Sequence, residues 1–279
     1  MSLSPHRFSK VTYHLKRVTE YAQKYFKLFQ WKRNSRILDI GSGPGHLLFE
    51  IEPLFPKDYS EILCTDMLGE MVNYLNSQKR DPRIKAIQMD IQTTSLPSDL
   101  KGRFDFVFSC NSVMYWANIR QSFSNISQLM NGSGQLFFIW TRKGDVHDIY
   151  KAMNTIPKWA PYTSEFKNWT NHFDNENPTD TLKTEFERVG IEILKSETMK
   201  WPYVDEEKKN LTALFHSLDY VSERIPKSDL DKYKEDYNKL VDEKMISERG
   251  SDNKIKWIVP FEFIAVAAKK SYKDFHAFW

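Results

Sequence analysis

Arg36-Ile37-Leu38-Asp39-Ile40-Gly41-Ser42-Gly43-Pro44-Gly45 is the stretch that decides how this chain of 279 residues folds. Ile37–Ile40 reads as a short buried strand that runs into a glycine turn, Gly41-x-Gly43-x-Gly45. His46-Leu47-Leu48-Phe49-Glu50-Ile51 then opens a helix. Strand, glycine turn and helix together make a nucleotide-site layout, because glycines let the backbone approach a ligand at a helix N-terminus. Two details narrow the ligand. A dinucleotide fingerprint needs Gly-x-Gly-x-x-Gly, and its last slot is filled here by His46. Asp39 also lies two residues before the first glycine, where a carboxylate repels a pyrophosphate and suits a ligand carrying an ammonium group.

Working outward, the alternation of strand and helix repeats. Ile62-Leu63-Cys64-Thr65-Asp66 reads as the second strand, Ile84–Met89 as the third, Phe104–Cys110 as the fourth and Gln135–Trp140 as the fifth. Met67-Leu68-Gly69-Glu70-Met71-Val72 begins one intervening helix and Ile119–Met130 forms another, with Asn131–Gly134 as a turn. Such alternation means a mostly parallel sheet covered on both faces. Thr179–Val189 reads as a further helix stopped by Gly190, followed by strands at Ile191–Leu194 and Ile258–Ala268. The expected fold is therefore an α/β, Rossmann-like, seven-stranded sheet flanked by helices, in a single domain spanning 1–279.

Three segments depart from this pattern. Val11, Leu15, Val18, Ala22, Tyr25 and Phe29 make a helical stripe, and residues 1–30 are expected to form a helical lid. Residues 144–178, rich in Trp, Tyr and Phe, and residues 201–256, charged and helical in pattern, are expected to be insertions that cap a substrate.

Ligands in open α/β sheets bind beyond the carboxyl ends of the strands. Asp39, Asp66, Asp90 and Ser109 lie at or near four successive strand ends. Asp66 stands about twenty residues past the last glycine, where a carboxylate can accept both ribose hydroxyls, with Met67 beside it. Asp90 can accept an adenine amino group while Ile91 packs the ring. S-adenosylmethionine carries an ammonium, a sulfonium, a ribose and an adenine but no phosphate. The ordered acids, with Gly41, Ser42, Gly43 and Gly45, resemble motif I and its partners in class I methyltransferases, which implies S-adenosylmethionine as donor and S-adenosylhomocysteine as product.

Composition bounds the rest. The net charge is only +3 and both signs are spread along the chain, which argues against a nucleic-acid binder. No apolar run is long enough to span a bilayer, and the two cysteines, Cys64 and Cys110, sit in strand-like apolar segments, so a cytoplasmic protein is expected. A homodimer is left open.

The donor is already activated, so the protein mainly has to hold the acceptor close, aligned and partly dehydrated. Enzymes that methylate a base amino group present Asn/Asp-Pro-Pro-aromatic after the fourth strand. That place here reads Asn111-Ser112-Val113-Met114-Tyr115-Trp116, without prolines. A hydroxyl or phenol needs a base or a metal, and the seven histidines show no ligand-like spacing, so no metal is expected. A carboxylate is ionised at neutral pH and needs neither. A hydrophobic carboxylic acid is thus the favoured acceptor, with an amine, phenol or other small molecule as the alternative. Trp116 follows the fourth strand directly, and its indole N–H can donate to a carboxylate oxygen.

With these residues laid out, the chain resembles the arthropod juvenile hormone acid methyltransferases. The likeness includes Leu38–Gly43, Cys64–Val72, Met89–Ile91, Phe104–Ser109, Arg120–Ile126, Asp174-Asn175-Glu176-Asn177-Pro178 and Glu187–Gly190. It implies methyl esterification of farnesoic acid, juvenile hormone acid or a related isoprenoid or fatty acid. It carries Trp116 over as the donor to the substrate carboxylate, with Tyr115 where the family has His. The family's N-terminal Gln is missing from Ser9-Lys10-Val11-Thr12, which leaves Lys10 or His14 to meet the carboxylate there. Trp159, Trp169, His172 and Phe173 are the expected apolar substrate contacts.

Overall fold

The computed structural model describes residues 5, 15–78, 81–144, 146–167, 172–173, 175–250 and 253–271. Five strands follow the predicted alternation: β1 (Arg36–Ile40), β2 (Glu61–Asp66), β3 (Ile84–Gln88), β4 (Phe104–Cys110) and β5 (Met130–Lys143). Three more, β6 (Ile191–Asp205), β7 (Ile246–Arg249) and β8 (Ile255–Lys270), complete the sheet. Its order is β3-β2-β1-β4-β5-β8-β6, with β7 on β8. Pairings among β1 to β5 are parallel, and β8 runs antiparallel to β5, β6 and β7. The chain winds outward from β1 to β3 and returns to β4, so the β1–β4 boundary is the topological switch point, where such sheets open a crevice.

Strand periodicity separates two cores. Ile37, Phe106, Phe108, Phe137 and Ile139 point to one face, Leu38, Ile40, Val107, Phe138 and Trp140 to the other. The first face is covered by α1 (Leu15–Tyr25), α2 (His46–Ile51) and α3 (Gly69–Ser77), the second by α4 (Ile119–Leu129) and, further along the chain, by the helix Pro178–Glu187. Val18, Ala22 and Tyr25 of α1 are fully buried against the sheet, and Phe26 stacks on Phe55 at 5.4 Å. The described part of the expected lid over 1–30 is therefore a packed helix, and His14 and Lys10 lie outside the described residues.

The helix Pro178–Glu187 is α7; the excursions form α5 (His147–Met153), α6 (Ala160–Thr163), α8 (Lys208–Leu218) and α9 (Leu230–Glu243). They are tied together by a buried polar knot. Asp219, 1 % exposed, accepts the hydroxyls of Tyr150 at 3.1 Å and Tyr233 at 3.0 Å. The second excursion is not wholly helical, as its charge pattern suggested. Trp201–Asp205 prolong β6, while Ile246–Arg249 form β7 and bring the strands among the described residues to eight. Trp201, Tyr203 and Val204 are β-formers, and strand pairing to Phe261, Val259 and Ile258 holds them extended. β5 also begins earlier than expected, at Met130. The stretch read as a turn is absorbed as an irregularity between the Phe104–Met130 and Phe106–Gln135 pairs.

Candidate functional site

A cavity of about 460 Å³ opens at the switch point, beyond the carboxyl ends of β1, β2 and β4. The chain leaves β1 through Gly41 and Gly43, both at positive φ (70° and 54°), and the N–H groups of Gly41 and Ser42 donate to the Thr65 carbonyl at 2.8 and 3.0 Å. A Cβ at Gly41 would lie 2.4 Å from the Cβ of Ser112, so only glycine fits there. Ser112 itself is fixed by its hydroxyl, which lies 3.1 Å from the Ile40 carbonyl oxygen and 2.7 Å from the Ser109 hydroxyl.

One half of the cavity is lined by Asp39, Gly41, Ser42, Gly43, Asp66, Met67, Asp90 and Ile91. The carboxylate of Asp66 accepts the N–H of Gly43 through Oδ2 and that of Leu68 through Oδ1, each at 2.9 Å. Asp90 is turned by Gln92, whose N–H donates to its Oδ1 at 2.9 Å. Asp39 is 3 % exposed. Burial pushes its carboxyl up to about 8; a hydrogen bond to Ser42 partly opposes this, and the charge of Asp66 adds to it. Burial also raises Asp66, against the N–H groups of Leu68 and Gly43. His46, on the same wall, is lowered to about 4 by burial and is neutral at pH 7.

The residues present fit S-adenosylmethionine. A buried carboxyl held above its usual range is the group that an ammonium stabilises most. The glycine cradle lets a ligand approach the backbone, and Asp66 and Asp90 offer acceptors at successive strand ends. When bound there, this group supplies an electrophilic methyl on a sulfonium.

The other half is lined by Met114, Tyr115, Trp116, Thr141, Val146, His147, Phe166, Leu218 and Tyr220, together with Asn111 and the charged Glu165 and Arg224. Asn111 leaves β4 at a φ of 55°, a left-handed conformation uncommon outside glycine. Trp116 packs its ring on Phe138 and Phe123 at 5.9 and 6.2 Å. Its indole N–H makes no hydrogen bond among the described residues, whereas that of Trp159 donates to Asp236 at 3.0 Å. His147 sets its ring against Tyr115, centroids 4.8 Å apart.

Several expected site residues lie elsewhere. Ser109 is fully buried and its hydroxyl, which donates to the Ile40 carbonyl at 2.8 Å, braces the turn behind the cavity. Gly45 caps α2, packed against Leu75 and Phe49, away from the cavity wall. Trp159 is buried against Tyr233, and Phe173 against Trp140 at 5.1 Å; both fill core instead of facing an acceptor. His172 is exposed and touches the Ala117 carbonyl at 3.2 Å, outside the lining. Trp169 lies outside the described residues. Conversely, His147, Glu165, Tyr220 and Arg224 line the cavity without a local sequence signal, since loops far apart in the chain deliver them, while Phe166 comes from the aromatic-rich segment 144–178. The two cysteines are buried, with thiols raised well above the usual range by burial, and neither is poised as a nucleophile.

Among known proteins, residues 38–136 match the family model described as a methyltransferase domain. The chain is similar to the juvenile hormone acid O-methyltransferase of Bombyx mori, 26% identical over 86% of this chain and 84% of that one. It is 24% identical to the protein of the same name from Drosophila melanogaster, over 89% and 85%. Its fold matches a solved Bacillus halodurans protein described as a candidate methyltransferase, with a TM-score of 0.57 at 16% identity, over 90% and 99% of the two chains. No helix among the described residues is long and apolar enough to cross a membrane.

Proposed function

We propose that this chain, an S-adenosylmethionine-dependent methyltransferase by its domain and its relatives, is a carboxyl O-methyltransferase that converts an apolar carboxylic acid to its methyl ester. In this reading Asp39 meets the donor's ammonium, Asp66 the ribose hydroxyls, and Asp90 with Ile91 the adenine. Gly41, Ser42 and Gly43 pass along the backbone side, with Met67 at the rim.

The observation that carries the acceptor assignment is Trp116. It follows the 3-10 turn Val113–Tyr115 beyond β4 on the cavity wall, 6 % exposed, with its N–H uncommitted among the described residues. A single neutral N–H can hold one carboxylate oxygen while leaving the other nucleophilic. A carboxylate requires no base, because it is already ionised. Phe166, Tyr220, Leu218 and Met114 give the neighbouring wall an apolar surface suited to an isoprenoid or fatty chain. The malonyl-[acyl-carrier protein] O-methyltransferase of Legionella pneumophila, 27% identical over 53% of this chain and 51% of that one, is likewise named an O-methyltransferase. Juvenile hormone acid is the acceptor that the names of the insect relatives point to, and farnesoic acid is an isoprenoid acid of the same class.

Incubation with labelled S-adenosylmethionine and farnesoic acid tests this directly. The expected product is an ester that mild base hydrolyses. A second reading rests on His147, whose ring beside Tyr115 could take a proton from a phenol or amine. A labelled product that survives mild base decides for that reading.

A further inference from the structure

Arg224 is the one lysine or arginine among the described residues that line the cavity. It ends a short 3-10 turn, Val221–Arg224, whose start is fixed by Asp219. The Ser222 N–H donates to Asp219 Oδ1 at 3.2 Å and the Ser222 hydroxyl donates to the Asp219 carbonyl at 2.9 Å. Asp219 in turn is clamped by Tyr150 and Tyr233, so both excursions fix the position of the turn. Across the cavity wall Arg224 meets Glu165 of the first excursion through one nitrogen. Nη1 lies 3.0 Å from Oε1 and 3.1 Å from Oε2. Its Nε and Nη2 have no partner among the described residues.

This is a poor arrangement for stability and a good one for recognition. A half-exposed pair of this kind contributes little to folding. A guanidinium that uses one nitrogen still presents the remaining donors in the planar fork that suits a carboxylate. The local charge adds a reason. Asp66, Asp90 and Glu165 line the same cavity, and Arg224 is the one cationic side chain among the described lining residues to set against them.

We propose that Arg224 recognises the anionic group of the acceptor as it enters, with Glu165 holding the guanidinium ready and competing for it. The assignment deepens the carboxylate reading and rests on it. Arg224 acts in selecting acids; Trp116 remains the donor at the reacting carboxylate.

The test is the preference for farnesoic acid over its uncharged alcohol, farnesol, measured by calorimetry in the presence of S-adenosylhomocysteine. Wild type, Arg224→Met, Arg224→Lys and Glu165→Gln are compared. The expected result is a loss of acid affinity of about tenfold or more in Arg224→Met with farnesol unchanged, partial recovery in Arg224→Lys, and tighter acid binding by a few-fold in Glu165→Gln. An Arg224→Met variant that keeps the wild-type preference overturns the proposal and leaves the carboxylate reading intact. So does one that loses acid and alcohol alike, since the pair would then only clasp the cap. Wild-type protein that binds farnesol as tightly as the acid overturns the carboxylate reading itself, and this assignment with it.

Discussion

Asp66 holds the glycine turn as well as the cavity wall: its Oδ2 accepts the Gly43 N–H at 2.9 Å, so the end of β2 and the turn after β1 are joined by a carboxylate. Each of its oxygens keeps a lone pair for a ligand hydroxyl. Asp66→Ala removes those acceptors and leaves the Gly43 N–H unpaired. The expected loss of S-adenosylmethionine affinity is about 1–3 kcal/mol. Calorimetric titration checks it, and an unchanged dissociation constant would remove Asp66 from the ribose site.

The contact between Gly41 and Ser112 gives a prediction that separates packing from binding. In Gly41→Ala the new methyl meets Ser112 Cβ at 2.4 Å, in a backbone conformation with φ of 70° that L-residues avoid. Gly41→Ala is expected to lower both thermal stability and cofactor affinity. Ser112→Gly in the same chain removes the clash but not the backbone strain of about 1–2 kcal/mol. The double variant is therefore expected to recover part of the loss. A double variant no better than Gly41→Ala, in a thermal melt and a cofactor titration, would rule out steric conflict with Ser112 as the cause.

Asp39 sets a pH dependence whose sign is fixed by its environment. Its carboxyl titrates near 8 in the folded chain and near 4 when unfolded. Between those values the folded state binds the extra proton, so stability of the ligand-free protein falls as pH rises from about 4 to about 8. A cationic ligand reverses the preference and draws the proton off. Cofactor affinity should thus rise between pH 6 and 7.5, with close to one proton released per molecule bound. Calorimetry in buffers of different ionisation heat counts that proton. Asp39→Asn should bind weakly, release none, and flatten the stability profile. Proton release that persists in Asp39→Asn would place the titrating group elsewhere.

The parallel half of the sheet was legible because buried strands and glycine turns write their own local signals: Ile37–Ile40, Asp66 and Asp90 fall where their spacing put them. Trp201–Val204 was not, because its extended form depends on pairing with β8, some sixty residues onward. Trp159 and Phe173 show why aromatic richness alone does not locate a substrate. The same rings that could line a tunnel also make core, and only position relative to the sheet distinguishes the two. Arg224 and His147 were illegible for the converse reason. Each is an ordinary residue in a polar stretch until the fold brings the excursions over the strand ends.

Trp116 tests the chemistry apart from the fold. Its ring is packed on Phe138 and Phe123, and phenylalanine can keep much of that apolar contact. Trp116→Phe therefore deletes chiefly the N–H. If that N–H orients the acceptor carboxylate, turnover of farnesoic acid should fall by roughly tenfold or more, the value of about one good hydrogen bond to a charged group. S-adenosylhomocysteine affinity and thermal stability should change little, because the cofactor half of the cavity is built from other strand ends. Single-turnover rates alongside a cofactor titration make the separation. Turnover equal to wild type would take Trp116 out of the acceptor site. Parallel loss of cofactor binding would make it a structural residue of the β4 turn instead.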